Sequence, residues 1–238
     1  MKKSLCLLLC CIVVSVGIFA ILNIPVATRQ GINYQWHTIR LPLHLKILDF
    51  FDRHFNYKQL VKRIVKDADT DREKVMKIFE WTHQNIKRDI PEGWPIIDDH
   101  AWHIIVRGYG VNDQASDVFT TLCNYAGVDA FFTWINTSNR TKGISLSFIK
   151  IEQKWSIFDP YHGCYFKNKD GELADIEDIK SKAIWSIESL DGKPNIDYAS
   201  YLDNLPSVKD VGLSRANIQS PLNRLFFEIR KCLRKETK

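Results

Sequence analysis

The side chains able to do chemistry fall into three small groups along this chain. His100 and His103 stand three apart in Asp98-Asp99-His100-Ala101-Trp102-His103, so a helix would set both imidazoles on one face with Asp99 close by, a start toward a metal site. His162 and Cys164 flank Gly163, and an extended strand would turn thiol and imidazole to the same side. Asp159 precedes Pro160 at the end of an apolar run, a carboxylate set beside a turn. Each group also has a plainer reading. There is no His-Glu-x-x-His, no Cys-x-x-Cys and no third ligand at fixed spacing, so neither a metal nor a cofactor is expected. The glycine between His162 and Cys164 favours a turn. Asp159 reads first as an acceptor for backbone N–H groups in its own Asp-Pro-Tyr turn. His100, His103, His162 and Cys164 remain as alternative reactive groups.

The elements that would position these residues are legible from periodicity. Ala115, Val118, Phe119, Leu122, Cys123 and Ala126 recur as one helical face, after a glycine turn and before Gly127. The pattern predicts a helix buried along one side, with Asn112 or Asp113 as its N-cap and residue 112 at its positive end. An asparagine amide is a poor nucleophile but a good cap, so capping is the expected role of Asn112. Gly143–Ile151 alternates and is rich in β-branched and aromatic residues, Glu152-Gln153-Lys154 forms a turn, and Trp155–Phe158 returns as a second strand. Upstream, Pro42 to Ile64 reads largely as helix, and Thr70 caps a second helix, Asp71 to Lys87, that buries Val75, Ile78, Phe79, Thr82 and Ile86.

These segments resemble the transglutaminase-like family of the papain-like cysteine enzymes. In that family a Gly-x-Cys turn opens a helix, with Phe, Leu and Gly seven, ten and fifteen residues on; Phe119, Leu122 and Gly127 keep those offsets counted from Asn112. Trp81 and Ile86 match its Trp-x-x-x-x-Ile helix, and Trp155, Asp159 and Pro160 match its Trp-x-x-x-Asp-Pro strand. The family's histidine would fall near Ile144, and residues 142 to 148 contain none. The resemblance, over about residues 56 to 170, implies an α+β fold with helices packed on an antiparallel β-sheet. It also implies a thiolate activated by helix-end N–H groups and an imidazolium. Here Asn112 replaces the cysteine and only Asp159 of the Cys-His-Asp trio is kept. A degenerate member, a pseudoenzyme, is therefore expected. Its old cleft, with Trp94, Trp102, Tyr109 and Trp134 as candidate lining, would take a peptide or glycan. The alternatives are an active cysteine hydrolase or acyltransferase with a relocated nucleophile, Cys164 first, and a purely structural scaffold packed against another envelope protein. Similar anchored proteins accompany bacterial envelope or exopolysaccharide machinery, which implies an accessory role there.

The two ends carry their own signals. After Met1-Lys2-Lys3, an apolar run from Leu5 to Ile24 supplies about 20 residues, enough to cross a hydrocarbon core. Pro25-Val26-Ala27 is a poor cleavage site, so an uncleaved anchor over 4–26 is expected, with cleavage as the alternative. Lys2 and Lys3 argue for a cytoplasmic N-terminus and a single-pass protein with its domain outside; Arg29 and Arg40 pull the other way. The expected organisation is a basic stub (1–3), the anchor (4–26), a linker and membrane-proximal helix (27–55), the main domain (56–200) and a C-terminal extension (201–238). In that extension Leu222, Leu225, Phe226, Ile229 and Leu233 form one helical stripe with basic residues off it or at its rim. Docking of the stripe on its own domain is expected, a membrane surface being the alternative. The net charge of +5 is modest and concentrated at the two ends, and no RNA-binding motif, phosphate loop or repeat occurs, which argues against nucleic acid. Cys123 lies on the buried helix face, so at most one disulfide could join the remaining soluble cysteines, Cys164 and Cys232. Asn136 and Asn139 begin glycosylation sequons.

Overall fold

The computed structural model describes residues 2–32, 35–94, 100–138, 142–181, 185–192, 196–208 and 220–235. Asp98, Asp99, Asn139 and the side chain of Cys232 lie outside the described residues. The chain opens with α1 (Lys2–Leu22), whose stretch Lys3–Leu22 is long and apolar enough to cross a membrane and is equally compatible with a signal sequence. Its apolar side chains are exposed along its length. The segment expected as a linker is instead an antiparallel hairpin, β1 (Pro25–Ile32) paired with β2 (Gln35–Pro42). Period-two alternation is weak there, so the sequence hid it.

Helix α2 (Leu43–Ile64) follows without a break, and α3 (Asp71–Asn85) starts at Thr70. There the Glu73 N–H donates to the Thr70 hydroxyl, while the Thr70 N–H donates to the Glu73 carboxylate. This reciprocal cap satisfies donors that the helix itself cannot. Helices α4 (Ala101–Arg107) and α5 (Asn112–Tyr125) complete the helical layer, and Val75, Ile78, Phe79, Thr82 and Ile86 are all buried. Helix α5 departs from the one-sided burial its periodicity suggested. Every residue from Gln114 to Cys123 is buried, including Ser116, Asp117, Thr120 and Thr121. It is the central helix, walled by α2, α3 and α4 as well as by the sheet.

The sheet is a five-stranded antiparallel meander, β3 (Ala130–Asn136), β4 (Gly143–Ile151), β5 (Lys154–Asp159), β6 (Cys164–Asn168) and β7 (Trp185–Ser189), with neighbours in chain order. The β4–β5 connection needs two residues, Glu152 and Gln153, both at positive φ (50° and 66°), while Lys154 already pairs with Ile151. Two left-handed residues give the turn the twist that the flanking strands require. One face of the sheet joins the helices in a core around Phe79, Phe119, Leu122, Ile149 and Phe158. The other face packs Ile144, Leu146, Phe148, Ile157, Cys164 and Phe166 against α6 (Ile176–Lys180), α7 (Ala199–Leu202) and Tyr198. The last helix, α8 (Pro221–Lys235), packs in part on α2. Its stripe is not docked as expected: Leu222, Leu225, Phe226 and Ile229 are exposed.

Candidate functional site

The turn before α5 is fixed from two sides. The Lys87 N–H donates to the Gly108 carbonyl (2.8 Å) and the Gly110 N–H donates to the Lys87 carbonyl (3.1 Å), tying the turn to the end of α3. Gln114 Oε1 then accepts from the Val111 N–H (3.1 Å) and from Arg107 Nη2 (2.7 Å). A side chain at Gly110 would meet Gln114 Oε1 at 3.1 Å, so only glycine fits there without displacement. Val111 occupies the N-cap position and Asn112 is the first helical residue. The expectation that Asn112 caps the helix is therefore corrected.

The amide of Asn112 reaches across to the sheet. Its Oδ1 accepts from the backbone N–H of Ser145 at 2.8 Å, and one turn later the Ser116 hydroxyl donates to the Ser145 carbonyl at 3.4 Å. Residues four apart on a helix share a face, so the two side chains grip both backbone groups of one strand residue. That residue lies beyond the last β4–β5 partner pair, Ser147 with Phe158. Ile144, near the expected histidine place, is buried in the second core, and its neighbour Ser145 faces α5.

Asp159 forms a separate cluster. Fully buried, its carboxylate accepts from the Tyr198 hydroxyl (2.8 Å), from the His162 N–H (3.1 Å) and from His162 Nδ1 (2.8 Å). The turn-capping role expected from the sequence is present, with an imidazole and a phenol added to it. Burial, and then the charge of Asp159, raises the Tyr198 phenol far above its ordinary range, which keeps it a hydroxyl donor. Gly163, at φ +64°, makes the turn expected between His162 and Cys164. The Cys164 thiol donates to the His162 carbonyl at 3.3 Å, and burial raises its pKa, outweighing the polar influence of Tyr198 and Ser189 nearby. A raised thiol is a poor source of thiolate. Cys123 is pushed up by complete burial as well, and both Cys123 and Cys164 are free.

The remaining candidates are scattered. His100 precedes α4 and meets His103 ring to ring at 5.6 Å, and no cluster of three metal-ligating groups occurs among the described residues. Trp94 packs edge-on against Tyr109 at 5.7 Å, Trp102 packs on Tyr57 toward α2, and Trp134 lies exposed on β3 with its Nε1 donating to Asn136 Oδ1. Of these four, Trp94 and Tyr109 touch each other, while Trp102 meets Tyr57 and Trp134 meets Asn136 of its own strand. A pocket of about 340 Å³ opens elsewhere, between the start of α3 and the β4–β5 turn, lined by Thr70, Arg72, Asp129 and Lys150 among others. Sequence reading also missed a clasp. His83 Nδ1 donates to the Pro160 carbonyl (3.1 Å) while its Nε2 meets Asp191 (3.0 Å), which Arg88 also holds at 2.6 Å. Of the unforeseen partners only Ser116 left a signal, its four-residue spacing from Asn112. Ser145, Tyr198 and Asp191 lie too far along the chain for spacing to reveal them.

Residues 58–160 match the family model described as the transglutaminase-like superfamily. No curated protein matches the sequence. Among solved structures, a protein from Cytophaga hutchinsonii assigned as a cysteine protease shares 18% identity, with a TM-score of 0.40 over 56% of this chain and 46% of that one. A protein from Parabacteroides distasonis assigned as a protease shares 12% (TM-score 0.36, 57% and 35% covered), and a TGase shares 11% (TM-score 0.36, 56% and 43% covered). The chain thus spans less than half the length of each structure it resembles. The matched segment runs from α2 through the central helix to the Asp-Pro at the end of β5, the same stretch that holds Asn112, Ser145 and Asp159. Residues 58–160 thus resemble the transglutaminase-like superfamily.

Proposed function

We propose that this protein is a membrane-anchored, non-catalytic transglutaminase-like domain, serving as a binding or accessory module of a bacterial cell envelope. One observation carries the reading: the residue at the nucleophile position spends its side chain on a bond to β4. The Asn112 amide accepts from the Ser145 N–H, so even its most polar atom is engaged in joining helix to strand. The retained aspartate is engaged as well, by Tyr198 and His162, in a place closed to solvent. The anchor belongs to the proposal through α1, and the extracytoplasmic side through Lys2 and Lys3. Exposed indoles at Trp94 and Trp134 suit stacking on a glycan or a peptide side chain.

The test is covalent chemistry on the full chain. Incubated with a glutamine-containing peptide and a labelled primary amine, the native protein and Asn112→Cys should both incorporate no label, since no histidine stands at 142–148. Amine incorporation by the single variant would overturn the proposal.

One observation favours a second reading, a relocated enzyme. His162 and Asp159 form an imidazole–carboxylate pair at 2.8 Å, two residues from a thiol. Under that reading a thiol-directed acylating reagent labels Cys164 at neutral pH, and Cys164→Ser abolishes the labelling. The raised thiol and its burial favour the first reading.

A further inference from the structure

Helix α8 is a fifteen-residue helix with its apolar stripe in the open. Leu222, Leu225, Phe226 and Ile229 are 66%, 54%, 56% and 46% exposed. A helix of that length is marginal in water by itself, so a surface has to cover the stripe. Three observations identify the surface. The first is charge: α8 holds five basic residues, Arg224, Arg230, Lys231, Arg234 and Lys235, against one acid, Glu228. Helical spacing sets Arg224, Lys231, Arg234 and Lys235 away from the stripe and Arg230 at its rim. Two copies of so basic a helix would repel each other, whereas an anionic headgroup layer attracts every one of those residues.

The second is position. Helix α8 packs on α2. The start of α2 is tied to the end of α1, because the Leu43 N–H donates to the Ile24 carbonyl and His44 Nδ1 to the Leu22 carbonyl, both at 2.9 Å. The third is continuity. Leu45, Leu48, Phe51 and Phe55 of α2 are exposed as well, at spacings that keep them on one side of the helix. Apolar surface thus continues from the end of α1 along α2 to its neighbour α8.

We propose that α8 lies along an anionic lipid surface, its stripe in the acyl boundary and its basic side among headgroups, beside the point where α1 enters the bilayer. The inference rests on reading α1 as a membrane span. The experiment uses the full chain in vesicles of phosphatidylcholine with and without phosphatidylglycerol. A photoreactive benzoylphenylalanine replaces Phe226 in one variant and Lys231 in another. Cross-links from position 226 should reach lipid, exceed those from position 231, and fall at least about threefold without phosphatidylglycerol or in high salt. Cross-links from 226 to α2 or to a second copy, or lipid labelling indifferent to phosphatidylglycerol, overturn the inference. Leu225→Glu with Phe226→Glu should leave the melting temperature of the domain unchanged; a drop would show that the stripe docks on the domain and overturn it too. Alkaline washing of the same vesicles reads α1 separately. Release of the full chain there refutes the span, whereas retention with no lipid labelling refutes only the placement of α8.

Discussion

The carboxamide of Asn112 is a structural joint, and its removal has a calculable cost. Asn112→Ala strands the Ser145 N–H in a part-buried place, which should lower unfolding free energy by about 1–2 kcal/mol. Asn112→Asp should be nearly neutral, because a carboxylate accepts the same bond and gains from the helix N-terminus. Urea unfolding of the two variants separates the roles: equal losses would show that the amide contributes nothing through that bond. At Asp159, Asp159→Ala should cost about 3 kcal/mol, as it leaves a buried hydroxyl and an imidazole without their acceptor. Tyr198→Phe should cost about 1–2 kcal/mol, and the double variant less than the sum, the signature of a shared network. Additive losses would dissolve the cluster. The sequence located both Asn112 and Asp159 through the family spacing that Phe119, Leu122 and Trp155 keep, which is a resemblance and not a geometric necessity. It could not supply their partners. Ser145 and Tyr198 stand 33 and 39 residues away, and only the packed sheet brings them near.

Elements inherit their stability from what surrounds α5. Phe119 touches Phe79 and Phe158 at ring separations of 5.7 and 5.5 Å and is fully buried, so Phe119→Ala should cost about 3–5 kcal/mol by denaturant unfolding. A loss under 1 kcal/mol would refute the central place of this helix. The clasp of α3 on the loop after β7 predicts a pH dependence. Hydrogen bonding to His83, then its charge and that of Arg88, holds the Asp191 carboxyl below its ordinary value. A depressed acid stabilises the fold above the unfolded-state value, about 3.9, and that contribution is lost as pH falls through the folded value. The difference in stability between native protein and Asp191→Asn should therefore be present at neutral pH and vanish under acid. A difference that grew on acidification would reverse the assignment. Strong periodicity made α2, α3, α5 and the β4–β5 hairpin readable from sequence. It failed for β1–β2, whose strands lack alternation. It also understated α5, whose Ser116, Thr120 and Thr121 satisfy themselves by bonding backbone or side-chain acceptors and so tolerate burial that polar residues normally resist.

At the scale of the molecule, a hairpin and three helices intervene between the apolar N-terminus and the central helix. Full-length protein expressed in a bacterium should stay with the membrane fraction after alkaline extraction, and replacing two leucines of α1 by arginine should release it. Release of the unaltered chain would mark α1 as a cleaved leader. The C-terminal stripe shows where composition misleads. The same amphipathic spacing describes a helix docked on protein and one left open, and only the exposure of Leu222 and Phe226 tells them apart.

The bond between Asn112 and Ser145 also bears on how readily this position could take a thiol. A codon change from asparagine to cysteine discards a helix–strand joint at once, while any gain waits on a histidine that must arise separately on β4. Under the proposed non-catalytic reading the intermediate is weaker and no more reactive, so selection sees only the loss. A joint of this kind works as a ratchet: once the amide holds the strand, any path toward a thiol at this position runs downhill in stability before it can climb.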